Sequence, residues 1–261
     1  MTPPLFSLDG RVALVTGAGS PSGIGFASAR LIGELGASVM ITSTTDRIHA
    51  RAAELSQMGI KARGSFGDLT RETYVEVLIK ETVDSFGRLD IVVNNAGMTS
   101  VSDPDTDDGA LASLSYELWR ASLIRNLDTA FLVSRTALPH MVENRWGRII
   151  NVASITGPVM AMKDDAAYAT SKAGMVGMTR SIAVDYAGHG ITANAVAPGW
   201  IATGSQTENE AEQGKVTPIG RSATPDEVAA AVAWLATPGA AYTTGLCIAV
   251  DGGNSISEER V

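Results

Sequence analysis

The sequence predicts an α/β fold, a doubly wound parallel sheet of about seven strands with helices on both faces. Three observations lead there. Short runs rich in β-branched residues alternate with longer segments of helical period, which is the rhythm of βαβ units. Several of the short runs are apolar throughout, as strands covered on both faces require. The length of 261 residues and an apolar share of 45% suffice for one sizeable core, so one domain spanning 1–261 is expected.

In chain order the strands are expected at 12–16, 38–42, 61–65, 91–94, 147–152, 192–196 and 246–250. Helices fill most of the gaps, most clearly 23–36, 47–58, 70–86, 166–187 and 225–236. The last opens with Thr224 as N-cap, Pro225 at the first helical position and Glu227 where a capping box needs it. No internal repeat, low-complexity tract or Pro/Ser-rich linker marks a second domain. Two stretches break the pattern: 99–115, with its acidic run, is read as a polar loop and 204–217 as another polar segment. Both follow strand ends, where open α/β sheets bind ligands. The acidic run fits a solvated surface loop equally well.

A formal net charge of −8 argues against nucleic acid and anionic membrane surfaces as partners, since both demand a basic face. The N-terminus has no cationic segment followed by an apolar run, and no stretch approaches about 18 uninterrupted apolar residues, so a soluble cytoplasmic protein is expected. The single cysteine, Cys247, excludes an internal disulfide and lies in an apolar run that suits core packing. His49, His140 and His189 lack metal-ligand spacing, so no metal is expected.

After the first strand comes Thr16-Gly17-Ala18-Gly19-Ser20-Pro21-Ser22-Gly23-Ile24-Gly25, which then opens a helix. Small residues there let backbone amides approach a pyrophosphate at a helix N-terminus, where orphan N–H groups and the dipole favour negative charge. Gly17, Ser20, Ser22, Gly23, Ile24 and Gly25 are therefore candidate dinucleotide contacts. At the tip of the second strand, where a carboxylate would accept the 2′-hydroxyl of NAD, stand Thr42-Ser43-Thr44-Thr45-Asp46-Arg47. Ser43 and Thr44 at the ribose position remove the repulsion of a 2′-phosphate, with Arg47 near enough to swing in. The balance leans to NADP, with NAD open.

Farther along, Tyr168 and Lys172 stand four apart in a helical segment, with Ser154 just past a strand. That spacing puts phenol and ammonium on one helix face, so the cation is expected to favour phenolate and pull the tyrosine below its ordinary value of about 10.

Taken together, TGAGSPSGIG, Asp68, Asn94-Asn95-Ala96-Gly97, Asn126, Ser154, YATSK and Pro198-Gly199 with Thr203 resemble the ordered motifs of the short-chain dehydrogenase/reductase family, a Rossmann-type group. The likeness spans nearly the whole chain and is nearest to the 3-oxoacyl-(acyl carrier protein) reductases and related carbonyl reductases. It implies an NAD(P)-dependent oxidoreductase acting on a ketone or secondary alcohol. It also implies Tyr168 as general acid in reduction and base in oxidation, Lys172 holding the nicotinamide ribose, Ser154 binding the substrate oxygen, and Asn126 retaining a water that links Lys172 to solvent. By the same likeness Asp68 and Leu69 meet the adenine, Asn95, Ala96 and Gly97 line the cofactor crevice, and Pro198, Gly199, Ile201 and Thr203 border the nicotinamide. Val159, Met160, Met162 and Trp200 would line an apolar substrate pocket beside Ser154. A homotetramer is implied, with helices over 110–143 and 166–187 at one interface.

The chain departs from that pattern in three places. Gly17 and Gly23 are six apart, so the glycine turn is two residues longer than usual and carries no basic residue. The Asn95-to-Asn126 segment is also extended, and its acidic loop makes an acidic carrier protein a less natural partner. Two rivals stay open beside ketone reduction. A 3-oxoacyl thioester is one substrate class, and a non-catalytic NAD(P)-binding protein is the other reading. Enoyl reductases, a related chemistry, space the tyrosine and lysine farther apart.

Overall fold

The computed structural model describes residues 2–97 and 109–258. Its elements are β1 (Val12–Val15), α1 (Ile24–Glu34), β2 (Ser38–Ser43), α2 (Ile48–Gln57), β3 (Ala62–Phe66), α3 (Glu72–Phe86), β4 (Ile91–Asn94), α4 (Tyr116–Leu123), α5 (Thr129–Asn144), β5 (Gly147–Val152), α6 (Ala166–Tyr186), β6 (Ile191–Pro198), α7 (Glu208–Lys215), α8 (Pro225–Ala236) and β7 (Cys247–Val250). All seven strands run parallel in the order β3-β2-β1-β4-β5-β6-β7. The predicted fold class is the observed one, with strand ends displaced by at most two residues.

Alternation along each strand builds two separate cores, because successive side chains leave a pleated strand on opposite sides. Ala13, Val15, Val39, Ile41, Ile91, Val93, Ile150 and Val152 face α1, α2 and α8, where Ile32, Leu55, Val228 and Val232 meet them. Leu14, Met40, Val92 and Ile149 face the other way, onto Leu78 and Ile79 of α3, Val133 and Met141 of α5, and Ile182 of α6. Most inward positions are apolar on both faces, with Asn94, Asn151 and Asn194 among the buried polar exceptions. This is why the strand runs read as continuously hydrophobic.

One segment gains definition and one expectation is corrected. The polar 204–217 segment, which breaks the apolar rhythm, is mostly helix: α7 occupies it, started by a capping box in which Thr207 Oγ1 accepts from the Glu210 amide and Glu210 returns to the Thr207 amide. The helix expected over 110–143 begins only at Tyr116, because Ser115 caps it by accepting from the Leu118 amide. It is then interrupted by a π turn, Ile124–Asp128. There the Thr129 amide reaches back to the carbonyl of Ile124, so the Arg125 carbonyl takes the Thr129 hydroxyl instead, at 2.9 Å. The acidic run of 99–108 lies outside the described residues.

The amino edge of the sheet is tied by charge. Asp90, fully buried, accepts from the Val12 amide at 3.0 Å and from the Arg88 and Arg11 guanidinium groups. Arg11 and Arg148 both lie over the Trp146 ring, at 4.0 and 4.2 Å from its centroid. Arg148 is buried and gives its N–H groups to the carbonyls of Gly147, Gly190 and Thr237; that burial pulls its pKa down to about 10.

Candidate functional site

At the carboxyl edge the chain reverses its strand order between β1 and β4, which opens the crevice where such sheets take ligands. β1 leads into the glycine turn and β4 into Asn95-Ala96-Gly97. The Thr16 hydroxyl ties them together by accepting from the amides of Asn95 and Ala96, at 3.0 and 2.9 Å. Asn95 Nδ2 donates to the carbonyls of Thr16 and Gly17. Gly17 sits at φ +67°, and a Cβ there would stand 2.8 Å from Asn95 Nδ2 and 2.9 Å from the Ala96 Cα. Only glycine satisfies both the left-handed backbone and the close approach.

These residues fit a dinucleotide. The α1 N-terminus is capped by Gly23 without a side-chain hydrogen bond, in contrast to the capping boxes of α7 and α8, so its amides and dipole face the crevice. Gly19 lies against the tip of β2: a Cβ on it would be 2.9 Å from Ser43 Cβ and 3.0 Å from Arg47 Nε. Ser43 and Arg47 therefore meet the glycine turn, with Arg47 exposed above it and Thr44 exposed at the tip of β2. Ser20 and Ser22, in the longer part of the turn, approach Gly204 after β6. Asp68 is exposed and accepts from the Thr70 amide and hydroxyl, at 2.9 and 2.7 Å, while Leu69 is buried beside it.

Ser154, Tyr168, Lys172 and Asn126 come together where β5, α6 and the π turn meet. Register places Ser154 just beyond β5, and its Oγ accepts from the Thr156 amide at 3.1 Å and shares a hydrogen bond with Tyr168. Lys172 is buried one turn along α6, donating to the Val152 carbonyl at 3.1 Å with Nζ 5.5 Å from the Tyr168 ring centroid. Gly97 brings Asn126 into the group: a Cβ on it would be 2.7 Å from Asn126 Oδ1 and 3.4 Å from Lys172 Nζ. Asn126 Nδ2 donates to the Ser122 carbonyl at 3.2 Å.

The electrostatics differ from the expectation that Lys172 draws Tyr168 below 10. Desolvation dominates both groups: it lifts the phenol to about 12, against the lowering effect of the Ser154 hydrogen bond and with Asp165 and Glu210 adding to the rise, and it lowers the ammonium to about 8. Tyr168 is thus firmly protonated at neutral pH. It is an acid in waiting rather than a phenolate.

A buried amide chain underlies the site. Asn94 Nδ2 donates to Ser134 of α5 at 2.9 Å and to Asn151 of β5 at 2.8 Å, and Asn151 Nδ2 donates to Thr179 of α6 at 2.8 Å. It fixes the two strands that carry Asn95 and Ser154 against the two helices behind them.

Just past Ser154, residues 155–160 make a tight turn: the Met160 amide donates to the Ile155 carbonyl and the Gly157 amide to the Met160 carbonyl. Val159 and Met162 are about half exposed, and Met160 is partly buried against Asn254. Pro198 accepts from the Ile155 amide at 3.0 Å, which brings Gly199 and Trp200 beside Ser154; the Trp200 indole nitrogen is buried without a partner. Ile201 is buried, and the Thr203 hydroxyl pairs with Ser205. Gly109 bonds to the Asp164 carbonyl at 2.6 Å, so the extended segment rejoins the body a few residues before Tyr168. Thr16, the π turn and α7 were missed from sequence. The Thr207/Glu210 spacing was a readable signal for the last of these.

A family model described as enoyl-(acyl carrier protein) reductase matches residues 17–255. The 3-oxoacyl-(acyl carrier protein) reductase FabG of Vibrio cholerae is 40% identical over 251 residues, covering 95% of this chain and 98% of its own. Cis-4-hydroxycyclohexanecarboxylate dehydrogenase of Sinomonas cyclohexanicum is 40% identical over 247 residues, covering 93% of this chain and 96% of its own. Among solved structures, a point variant of the actinorhodin polyketide ketoreductase with NADPH superposes at a TM-score of 0.86 with 35% identity, covering 95% of this chain and 98% of the other.

Proposed function

The chain belongs to the short-chain dehydrogenase/reductase family, and on that premise we propose that it is one catalytic domain moving a hydride between an NAD(P) cofactor and a medium-sized, largely apolar or aromatic ketone/secondary alcohol pair. The observation that carries this reading is the Tyr168 hydroxyl bonded to Ser154, with Lys172 buried one turn away. When bound, the nicotinamide supplies or accepts the hydride. Ser154 and Tyr168 then hold the carbonyl oxygen between two donors, and Tyr168 delivers its proton as negative charge gathers there. Lys172 holds the ribose and replenishes Tyr168, with Asn126 beside it. Gly17, Ser20, Ser22, Gly23, Ile24 and Gly25 cradle the pyrophosphate, and Asp68, Leu69, Asn95, Ala96, Gly97, Pro198, Gly199, Ile201 and Thr203 border the rest of the cofactor.

NADP is the favoured cofactor. No carboxylate occupies Ser43 or Thr44, and Arg47 stands over the turn where a 2′-phosphate would lie. The substrate is bordered by Val159, Met160, Met162 and Trp200. A second substrate class, 3-oxoacyl thioesters, is supported by the likeness to FabG. Enoyl reduction is disfavoured by the one-turn spacing of Tyr168 and Lys172.

A homotetramer in the cytoplasm completes the reading. The support is an apolar groove of about 420 Å³ between α5 and α6, lined by Phe131, Leu138, Met178 and Ile182, with Phe131 half exposed. Among the described residues no helix is long and apolar enough to cross a membrane.

The deciding experiment is a panel of apolar ketones, acetoacetyl-coenzyme A and the matching alcohols, run with NADPH/NADP and NADH/NAD on the wild type and on Tyr168→Phe. Reduction of the ketones, lost by roughly 10³-fold in Tyr168→Phe while the variant still binds NADPH, is the expected result. Cofactor binding without turnover in the wild type would mark a non-catalytic binding protein, and turnover of the thioester alone would select the second substrate class.

A further inference from the structure

Two loops that leave distant strands meet above the carboxyl edge of the sheet. The glycine turn follows β1 and residues 199–207 follow β6, with β4 and β5 lying between those strands. Neighbouring strands stand about 4.8 Å apart, so three steps put the two strand ends roughly 14 Å from one another. Yet a Cβ built on Gly204 would be 2.6 Å from Ser22 Oγ, 3.8 Å from Ser20 Oγ and 3.9 Å from Ser22 Cβ. Length closes the gap. Gly17 and Gly23 are six apart, and the longer turn reaches out through Ser20-Pro21-Ser22. Pro21, Ser22 and Gly204 are all exposed.

The meeting point overarches the candidate site. β4 leads to Asn95 and β5 to Ser154, so a bridge from β1 to β6 passes over the strand ends that carry both. A dinucleotide reaching from Ser43 past the α1 N-terminus to Tyr168 spans those same strand ends. Each side of the bridge has firm footings. The Ala202 amide donates to the Ala223 carbonyl and Gln206 Nε2 to Ser222 Oγ, each at 2.8 Å, before Thr207 starts the α7 capping box. The turn is tied to β2 by the Ala18 amide on the Thr42 carbonyl, and to Asn95 through the Gly17 carbonyl. Among the described residues no hydrogen bond crosses from residues 20–22 to residues 203–207. Contact held by packing alone parts at little cost, and the footings bring it back.

We propose that Ser22 and Gly204 form a clasp over the dinucleotide crevice, which parts to admit the cofactor, shuts across it and so sets how fast it enters and leaves. This rests on dinucleotide binding as proposed above and adds control of exchange to it. The two extra residues of the turn make the clasp, so this chain exchanges its cofactor more slowly than a turn of ordinary length would allow. That bears on turnover, because opening of closed loops and release of product limit many enzymes.

The test locks the clasp. Ser22→Cys with Gly204→Cys, in a Cys247→Ala background, puts two thiols on Cβ positions 3.9 Å apart, inside the span of about 3.5–4.5 Å that a disulfide bridges. Binding of NADPH or NADH, whichever the wild type holds more tightly, is followed by stopped-flow fluorescence. Oxidation should slow both kon and koff about tenfold or more, and dithiothreitol should restore them in the same sample. Each single cysteine variant, treated alike, should keep the rates of its reduced form. Deleting Pro21 and Ser22 tests the converse: kon and koff should both rise about threefold or more, whereas loss of a phosphate contact alone raises koff and leaves kon. Failure of the disulfide to form, oxidised rates equal to reduced ones, or a shortened turn with unchanged kon overturns the clasp and leaves dinucleotide binding intact. A wild type that binds neither cofactor defeats the proposed function first, and the clasp with it.

Discussion

Lys172 is where single-residue chemistry shows most clearly, because burial there serves activity at the expense of stability. Lowering the ammonium from 10.5 to about 8 corresponds to about 3 kcal/mol of unfavourable burial at neutral pH. In Lys172→Met that cost vanishes, offset by about 1 kcal/mol for the bond lost at the Val152 carbonyl. The variant should melt roughly 5 °C above wild type and show no turnover, which differential scanning calorimetry and a kinetic assay check together. The sign with pH follows from linkage. Between about 8 and 10.5 the unfolded lysine keeps a proton that the folded one has lost, so this group makes wild-type stability rise with pH across that window, and Lys172→Met should lack the rise. Tyr168 acts oppositely at higher pH. Its folded value near 12 lies above the unfolded value of 10, so its contribution is lost as pH climbs from 10 to 12. At this scale the sequence made the residues legible and not their acidities. Tyr168 and Lys172 were singled out by their spacing together with the glycine turn, Ser154 and the family likeness, but none of these reports desolvation, which dominates both acidities.

Among elements, β4 and β5 are joined to α5 and α6 by the Ser134, Asn94, Asn151 and Thr179 side chains. Asn94→Ala removes two donated bonds and leaves buried acceptors behind, so it should cost roughly 2–4 kcal/mol in urea unfolding and reduce NADPH affinity through the adjoining Asn95. Thr224→Ala, which removes only the α8 cap, should cost about 1 kcal/mol and leave kinetics unchanged. Helix α8 was readable to the residue because Thr224, Pro225 and Glu227 are local signals. The π turn was not, because nothing in Ile124 to Asp128 distinguishes it from ordinary helix; its register is imposed by packing of Asn126 toward Gly97. Helix α7 was legible in principle from Thr207 and Glu210 and was masked by polarity, since a solvated helix offers little apolar period.

For the whole molecule, direction of catalysis and assembly can be tested. With Tyr168 protonated well beyond neutrality, ketone reduction should be favoured near pH 7, and alcohol oxidation should gain on it as pH rises past about 8, measured as the ratio of the two kcat/KM values. Phe131→Asp places a charge on the α5–α6 groove and should shift the protein to smaller species in light scattering while leaving its circular dichroism intact. The parallel sheet and its two-sided core were legible because apolar runs and glycine punctuation are written locally, whereas the order of the strands was not.

The charged ties around Asp90, Trp146 and Arg148 lie at the opposite rim of the sheet from the glycine turn, Ser154 and Trp200. The scaffold is therefore anchored away from the crevice that holds the candidate site. Val159, Met160 and Met162, on the turn beside Ser154, are the positions at which to retarget the enzyme, with the rivets on the far rim holding the frame in register throughout.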